Sequence, residues 1–206
     1  MPDGDNQQRR AQMVEAARLL EHSGVMSHTG HINFSTRVDG RRMVLTSSGL
    51  IGELRAEALA VVDHDGNVEE GSLNASTREI VGMHATVYRL REDVGAVLHT
   101  HSPHVTAFAL ANRPLPCRYE ALLRRGQSHA VPVAPWAPRG SQEFFDGIAE
   151  ALGAGDGTNA LLLGNHGVLA FGASAMAAVK LLIVLEEAAE AELGAAAIGG
   201  AKDIVP

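Results

Sequence analysis

The 206-residue sequence predicts one α/β domain, spanning residues 1–206, in which helices and strands are mixed along the chain. Segments with apolar residues at helical spacing alternate with short apolar segments that end in turn residues. The length suits a single sizeable core, and no linker or internal repeat divides the chain. With 46% hydrophobic and 20% charged residues, the composition is that of a globular rather than a disordered protein.

The N-terminal part predicts a helix followed by two strand pairs. The segment 7–26 carries apolar residues at helical spacing and should end at Gly24. The segment 30–49 alternates and turns at Asp39-Gly40, which predicts a hairpin. A strand at 59–63, a turn at 64–67 and a short second strand follow. The apolar positions of the first helix are Met13, Ala16, Leu19 and Leu20.

A second helix is predicted over residues 76–93. Ser76 and Thr77 are candidate caps, and Glu79 lies in the first turn. Its buried stripe should consist of Ile80, Met83, Val87 and Leu90.

The C-terminal part continues the mixed pattern. The predicted elements are a buried strand at 94–101, a helix at 102–112, a proline-rich strand and loop at 129–138, a helix at 142–153, a strand pair at 159–172 with a turn at Asn165-His166-Gly167, a closing helix at 174–197 and a loose tail at 199–206.

Charge and composition exclude several classes of protein. The net charge of −7, from 24 acidic and 17 basic residues, argues against a general nucleic-acid binder, which needs a basic face. The single cysteine, Cys117, cannot form an internal disulfide. We find no signal-peptide pattern and no apolar run of membrane-spanning length, so we expect a cytoplasmic protein without a membrane partner.

Three histidines mark a candidate metal site. His99 and His101 are two residues apart at the end of a predicted strand, so both side chains point to one side while Thr100 points to the other. His166, in a glycine-flanked turn, is a candidate third ligand. Three neutral imidazoles and an open position are typical of a catalytic metal site.

Simpler interpretations stay open at this point. A His-x-His pair also occurs by chance in a core. His104 is more simply a packing residue on the next helix. The four histidines that we expect in surface or loop positions are His22, His28, His64 and His129.

Four motifs in order resemble the class II aldolase/adducin family. They are an early "TGHINFSTRV…LTSSG", a glutamate at a helix start, "HTHSPH", and an Asn-His-Gly turn about 65 residues later. The resemblance covers about residues 10–195. It implies a three-layer α/β/α domain around a mostly antiparallel central sheet, and a homotetramer with active sites between subunits.

The resemblance also implies roles for individual residues. His99, His101 and His166 match the family's metal ligands, and Glu79 matches its acid/base glutamate. Tyr119 lies near the position of a tyrosine that donates a proton from a neighbouring subunit. One divalent ion per chain is implied, usually Zn²⁺, although three histidines with a carboxylate also accept Mn²⁺, Co²⁺ or Fe²⁺.

The chain departs from the family's sugar-phosphate aldolases at the anion-binding motifs. Gly30-His31 replaces a Gly-Asn pair, and Thr77-Arg78-Glu79 replaces a Ser-Ser-Glu run. Glu79 is offset by one position, and Ile80, which falls in strict register, cannot act as a base. Arg78 could bind a carboxylate or a phosphate, or it could be a solvated first-turn residue.

Further anion-binding candidates are the backbone N–H groups and hydroxyls of two turns. One is the loop at Gly30, and the other is Thr46-Ser47-Ser48-Gly49. Plain turn chemistry is the alternative for both.

The leading functional hypothesis is a metal-dependent carbon–carbon lyase that cleaves or forms an aldol bond in a small, anionic hydroxy-carbonyl substrate. A metal would stabilise the enediolate or enolate left by bond cleavage, while Glu79 and Tyr119 would move protons. Decarboxylation, with Arg78 or His31 orienting a carboxylate, is the alternative reaction. A non-catalytic scaffold, as in adducin head domains, is the alternative class.

Overall fold

An eight-stranded sheet with helices on both faces forms the framework of the molecule. The structure, a computed structural model, describes residues 3–154 and 157–204. The strands are β1 (Ile32–Arg37), β2 (Arg42–Thr46), β3 (Leu59–Asp63), β4 (Val68–Glu70), β5 (Ala96–Thr100), β6 (Val133–Ala134), β7 (Ala160–Leu163) and β8 (Gly167–Gly172). The helices are α1 (Asp3–Ser23), α2 (Ala75–Arg78), α3 (Val81–Leu90), α4 (Pro103–Leu110), α5 (Glu120–Leu123), α6 (Gln142–Ala154) and α7 (Ala175–Ala196).

The strand order is β4-β3-β2-β1-β5-β8-β7-β6, and every neighbouring pair is antiparallel except β6 and β7. Helices α1, α4 and α7 pack together on one face of the sheet, and α3 and α6 pack together on the other. The α/β/α arrangement around a mostly antiparallel sheet is therefore confirmed.

Turn chemistry explains both predicted hairpins. The Asp39 carboxylate accepts hydrogen bonds from the backbone N–H groups of Arg41 and Arg42, which closes the β1–β2 turn. Asp63 does the same for Asp65 and Asn67 between β3 and β4. Short aspartate side chains thus replace backbone partners at both reversals.

The first helix follows the predicted pattern with one exception. Met13, Ala16 and Leu20 are fully buried, whereas Leu19 is 37% exposed and lies outside the buried face. The helix ends before Gly24, whose φ of +75° is a left-handed conformation that favours glycine.

The single helix predicted over residues 76–93 is wrong, because two helices meet at Glu79 and Ile80. The cap of the first is Asn74, whose side chain accepts a hydrogen bond from the Thr77 N–H. The buried Thr77 hydroxyl in turn donates to the Ser47 carbonyl, which ties this short helix to the turn after β2. The N–H of Ile80 bonds to the Thr77 carbonyl, three residues back, and this tighter turn separates α2 from α3.

Several smaller features differ from expectation. Leu90, assigned to the buried stripe, is 51% exposed at the end of α3. The proline-rich segment forms only the two residues of β6, and the short α5 was not predicted. In the tail, Asp203 accepts a hydrogen bond from Arg118; Val205 and Pro206 lie outside the described residues. Within residues 3–154 and 157–204, no helix is both long and apolar enough to cross a membrane.

Candidate metal centre

The histidines meet because three central strands have one of their ends at the same end of the sheet. In the antiparallel pair β1–β5, Ile32 lies opposite Thr100, and in the pair β5–β8, Thr100 lies opposite Val168. The start of β1, the end of β5 and the start of β8 are therefore adjacent. His31 precedes β1, His99 and His101 lie at the end of β5, and His166 precedes β8.

His99 and His101 have the geometry of a ligand pair. Their Nε2 atoms are 3.2 Å apart. Two nitrogens bound to one tetrahedral zinc ion are about 3.3 Å apart, given Zn–N bonds of about 2.05 Å. The Nδ1 atom of His99 is 3.0 Å from the carbonyl oxygen of Val168, so it carries the proton and leaves the Nε2 lone pair free. Thr100 points to the other face, where its hydroxyl meets that of Ser102, as predicted.

His166 joins the cluster from the turn between β7 and β8. Its ring centroid is 4.7 Å from that of His99 and 5.0 Å from that of His101. The turn requires a φ of +56° at Asn165, whose side-chain oxygen accepts a hydrogen bond from the Asn112 amide.

Gly167 is required beside this turn for steric reasons. A Cβ at this position would lie 2.5 Å from the Thr100 carbonyl oxygen, 2.8 Å from the His101 ring and 3.2 Å from the His99 ring. The absence of a side chain lets β8 approach the histidine pair closely.

His31, which the sequence predicts as a substrate-binding residue, lies inside the histidine cluster. Its ring stacks on that of His101 at 4.5 Å and meets that of His99 edge-on at 5.6 Å. His31, His99 and His101 each offer one ring nitrogen within 4.8 Å of the others. Gly49 packs against the His31 ring, since a Cβ on Gly49 would lie 3.1 Å from that ring.

The environment keeps all four imidazoles neutral near pH 7. Burial lowers the pKa of His99 well below its usual value, and the neighbouring imidazoles lower it further. Burial lowers the pKa of His101 to about 4 and, together with the charge of Arg139, that of His166 to about 4. Burial and then Arg139 lower the pKa of His31. Metal binding requires this unprotonated form.

These observations meet the requirements of a divalent metal site. Nitrogen donors of this type suit zinc and other first-row ions. The donors are deprotonated, two of them are at ligand spacing, and a backbone carbonyl orients His99. The ring nitrogens that lie close enough together to share one ion in this conformation are those of His31, His99 and His101, whereas His166 joins them through ring contacts.

Glu79 is bound to Arg139 rather than directed at the histidines. Its Oε2 atom accepts hydrogen bonds from Nε and Nη2 of Arg139, at 3.2 and 2.9 Å. The two side chains are about half exposed, at 51% for Glu79 and 41% for Arg139. Burial favours the protonated form of a carboxyl group, and Glu79 has no such burial in this conformation.

The anion-binding candidates divide into two groups. Gly30, Ser47 and Gly49 form one connected region beside His31. Gly30 has a φ of +63°, and the Gly49 carbonyl accepts a hydrogen bond from the Ile32 N–H. The Ser47 carbonyl accepts a hydrogen bond from the Thr77 hydroxyl. Ser48 is half-buried within the same turn. Thr46, in contrast, is buried, and its hydroxyl accepts a hydrogen bond from the Phe34 N–H within the sheet.

Arg78 and Tyr119 are both exposed. Arg78 lies at the end of α2, and no side-chain hydrogen bond or ion pair joins it to another described residue. Tyr119 precedes α5 and is 39% exposed. Among the described contacts, none joins Tyr119 to the histidines of the same chain, so its action from a neighbouring subunit stays a prediction.

The remaining histidines differ in burial, and only some of them are anticipated from the sequence. His22, His28 and His129 are exposed, as predicted. His64, predicted in a surface or loop position, lies in the turn between β3 and β4 but is buried, with its ring stacked on that of Tyr88. His84, which no sequence motif singles out, is fully buried and hydrogen-bonded to the Ser35 hydroxyl.

Arg139 is the charged residue of the site that sequence analysis missed. It lines a cavity of about 340 Å³ together with Trp136, Phe144, Asn165 and His166. An arginine just before a glycine, in the loop between the predicted proline-rich strand and the next helix, was the available signal. Loops that follow strands often carry binding residues.

Comparison with known proteins agrees with this architecture. A family model described as "Class II Aldolase and Adducin N-terminal domain" matches residues 11–193. The chain belongs to this family. A 5-methylthioribulose-1-phosphate/5-deoxyribulose-1-phosphate aldolase of Rhodospirillum rubrum is 32% identical over 179 residues, which are 86% of this chain and 77% of that protein.

Solved structures of the family have the same fold. A structure named L-fuculose 1-phosphate aldolase superposes with a TM-score of 0.83 at 25% identity, covering 96% of this chain and 91% of its own. YgbL of Klebsiella pneumoniae, described as a putative aldolase/epimerase/decarboxylase, gives 0.78 at 27% identity, covering 92% and 90%. The predicted family is confirmed, and so is the prediction of an enzyme of the carbon–carbon lyase class, since these relatives are named aldolases.

Proposed function

We propose that this protein is a divalent-metal-dependent lyase that cleaves a carbon–carbon bond in a small, anionic hydroxy-carbonyl compound by retro-aldol chemistry. The observation that carries the proposal is the 3.2 Å separation of the His99 and His101 Nε2 atoms, beside the rings of His166 and His31. The lyase class of the relatives supports the same reaction.

His99, His101 and His166 would hold the ion, with Zn²⁺ the first candidate and Mn²⁺, Co²⁺ or Fe²⁺ the others. When bound, a divalent ion supplies a Lewis acid for the carbonyl oxygen of the substrate. The Val168 carbonyl fixes the His99 tautomer, and Gly167 leaves room for both rings.

Glu79 is the proposed acid/base, and it acts after its carboxylate has left Arg139. Because the ion pair is half exposed, it is weak, and the exchange costs about 1 kcal/mol or less. The carboxylate would then take a proton from the substrate hydroxyl or return one to carbon. Tyr119 of a neighbouring subunit in a homotetramer would protonate the leaving group.

The anionic group of the substrate would bind beside His31, in the turns formed by Gly30 and by Ser47, Ser48 and Gly49. Backbone N–H groups and hydroxyls in such turns bind anions without a full positive charge. Thr77 positions this region through its bond to Ser47. Arg78 is exposed and would act only on a group that extends out of the site. Thr46 belongs to the sheet instead.

Decarboxylation of a small carboxylate is the second candidate, favoured by the guanidinium of Arg139 beside His166. The description of YgbL as a putative aldolase/epimerase/decarboxylase supports it as well.

Metal content and carbon–carbon cleavage test the proposal together. Purified protein would be analysed for bound metal, then incubated with L-fuculose 1-phosphate and 5-deoxyribulose 1-phosphate, and assayed for aldehyde release. A parallel sample with hydroxy-keto acids would be assayed for aldehyde and CO₂. We expect about one divalent ion per chain and aldehyde release that stops on chelation.

The matched variants are His99→Ala/His101→Ala in the site and His22→Ala on the exposed surface of α1. The double variant should lose both metal and activity, and His22→Ala should keep both. Protein that binds no divalent ion after supplementation with zinc or manganese would contradict the proposal.

A further inference from the structure

Arg139 lies in a hydrogen-bonded turn, lines a cavity with His166 and binds Glu79, the proposed base. The Ser141 N–H donates to the Pro138 carbonyl, which closes a β-turn with Arg139 and Gly140 at its corners. Gly140 has a φ of +80°, and the Ser141 hydroxyl caps α6 by accepting from the Phe144 N–H. The two ends of the turn, Pro138 and Ser141, are therefore held by hydrogen bonds.

The same turn packs directly on the residue that Arg139 binds. A Cβ on Gly140 would lie 3.3 Å from the Glu79 carbonyl oxygen and 3.6 Å from its Cβ. The guanidinium and the carboxylate thus face each other because their backbones are in contact. Arg139 also lines the same cavity as His166.

The ion pair between Arg139 and Glu79 does not have the side-on geometry in which each guanidinium donor binds its own carboxylate oxygen. Nε and Nη2, the two parallel donors of the guanidinium edge, converge on one oxygen atom, Oε2. A side-on carboxylate would offer each donor an oxygen of its own, which is the preferred geometry of this pair. A half-exposed pair of this kind exchanges readily for a better-placed anion.

We infer that Arg139 is the specificity-determining residue that binds a carboxylate of the substrate, and that this carboxylate replaces Glu79. The inference rests on the proposed function, because the released Glu79 then serves as the acid/base beside the histidines. The position of Arg139 favours a planar carboxylate attached close to the reacting carbon. A phosphate at the end of a longer substrate would instead bind at the Ser47–Gly49 turn beside His31.

The sequence predicts Arg78 or His31 as the residue that orients a carboxylate. The structure favours Arg139 because it lines the cavity at His166 and already holds a carboxylate in its fork. Arg78 has neither property among the described contacts.

The test follows the arginine side chain itself, so its reading does not depend on turnover. Zinc-supplemented, ¹⁵N-labelled protein would be titrated with glycolate and, separately, with inorganic phosphate. The Nε–H signal of Arg139, assigned by its loss in Arg139→Gln, reports binding. We expect saturable shifts with glycolate in the wild type. Calorimetric titration, which does not need this signal, should give a dissociation constant about tenfold or more higher in Arg139→Gln. The exposed Arg125→Gln serves as the matched control and should bind like the wild type.

Replacement of Glu79 by the ligand carboxylate on Arg139 leads to a second expectation. Removing the competing charge in Glu79→Gln should tighten glycolate binding by about threefold or more. Absence of saturable glycolate binding to the wild type, or binding that Arg78→Gln weakens while Arg139→Gln does not, overturns the inference. Tighter binding of phosphate than of glycolate at Arg139 overturns it as well. Metal content is measured on the same samples, so failure of the metal site is read separately from failure of Arg139.

Discussion

The Nδ1–H group of His99 donates to the carbonyl oxygen of Val168, 3.0 Å away on the neighbouring strand. This bond sets the tautomer of the imidazole and holds its Nε2 lone pair toward His101. The orientation of a candidate metal ligand thus depends on the pairing of β5 with β8.

The close approach of β8 to the histidines predicts the effect of Gly167→Ala. The added methyl group would clash with the Thr100 carbonyl and the His101 ring, at 2.5 and 2.8 Å. We expect a loss of about 1–3 kcal/mol in the free energy of unfolding and at least about tenfold weaker zinc binding, since both rings must move.

Gly194→Ala is the control for that variant, since a Cβ at this position in α7 meets nothing within 4 Å. We expect it to raise stability by up to about 1 kcal/mol. Denaturant unfolding and zinc titration measure both effects. Unchanged zinc affinity in Gly167→Ala would show that the ring positions tolerate the methyl group.

The pH dependence of stability should depend in part on His84. Burial lowers the pKa of His84 from 6.5 to about 3. Below pH 6.5 this imidazole therefore binds a proton in the unfolded chain but stays unprotonated in the folded protein. Stability therefore falls as the pH decreases through this range, by about 1 kcal/mol per pH unit for one such group.

Unfolding of metal-free protein at several values between about pH 6 and about pH 4 would give this slope. In His84→Gln the slope should flatten, whatever the change in stability at neutral pH, whereas the exposed His129→Gln should leave it unchanged. Equal slopes in the wild type and His84→Gln would mean that the buried ring does not contribute.

Glu186 should be a main stabilising contact between α4 and α7. Its buried carboxylate accepts hydrogen bonds from the backbone N–H groups of His104 and Val105 and from the His104 ring, at 2.7–2.9 Å. In Glu186→Gln the side-chain NH₂ group would take the place of one accepting oxygen and lie against these N–H groups. We expect the free energy of unfolding to fall by about 2–3 kcal/mol. The neighbouring exposed Glu187→Gln should change the free energy of unfolding by less than about 0.5 kcal/mol. A thermal or denaturant melt of the two variants decides the comparison.

The proposed role of Tyr119 can be tested by mixing subunits. Tyr119→Phe should lower kcat by about 10²-fold with little change in KM, because the proton donor is lost while the substrate still binds. His99→Ala should be inactive.

If Tyr119 acts on the metal centre of a neighbouring subunit, tetramers reassembled from both variants contain some sites with an intact His99 and an intact Tyr119. These mixtures should regain measurable activity. Mixed tetramers that stay as inactive as the separate variants, with subunit exchange verified by mass, would place the proton donor elsewhere.

The sequence predicted the elements whose signals are local. The Asp39-Gly40 turn, the stop at Gly24 and the buried run before His99 depend on neighbouring residues, and all three are confirmed. The break between α2 and α3 was missed because the bond from Thr77 to Ser47 that accompanies it spans 30 residues. Apolar periodicity continues across the break and conceals it.

Tertiary register explains the misses at the candidate site. His31 enters the cluster because β1 pairs with β5 so that Asn33 lies opposite His99. The partnership of Arg139 with Glu79 joins residues 60 positions apart in the sequence. Neither contact leaves a periodic signal in the residues themselves, whereas the family resemblance covered the three histidines and nothing at Arg139.

The adjacency of β5 and β8 would give a bound ion a mechanical role as well. The proposed ligands come from two segments that are far apart in the sequence, His99 and His101 at the end of β5 and His166 before β8, and they converge only where these strands have paired. An ion held by residues of these segments would act as a cross-link between distant parts of the polypeptide, comparable to a disulfide in closing long loops. Removal of the metal should therefore loosen the centre of the sheet before its outer strands, and backbone amides of β5 should be the first to exchange faster with solvent.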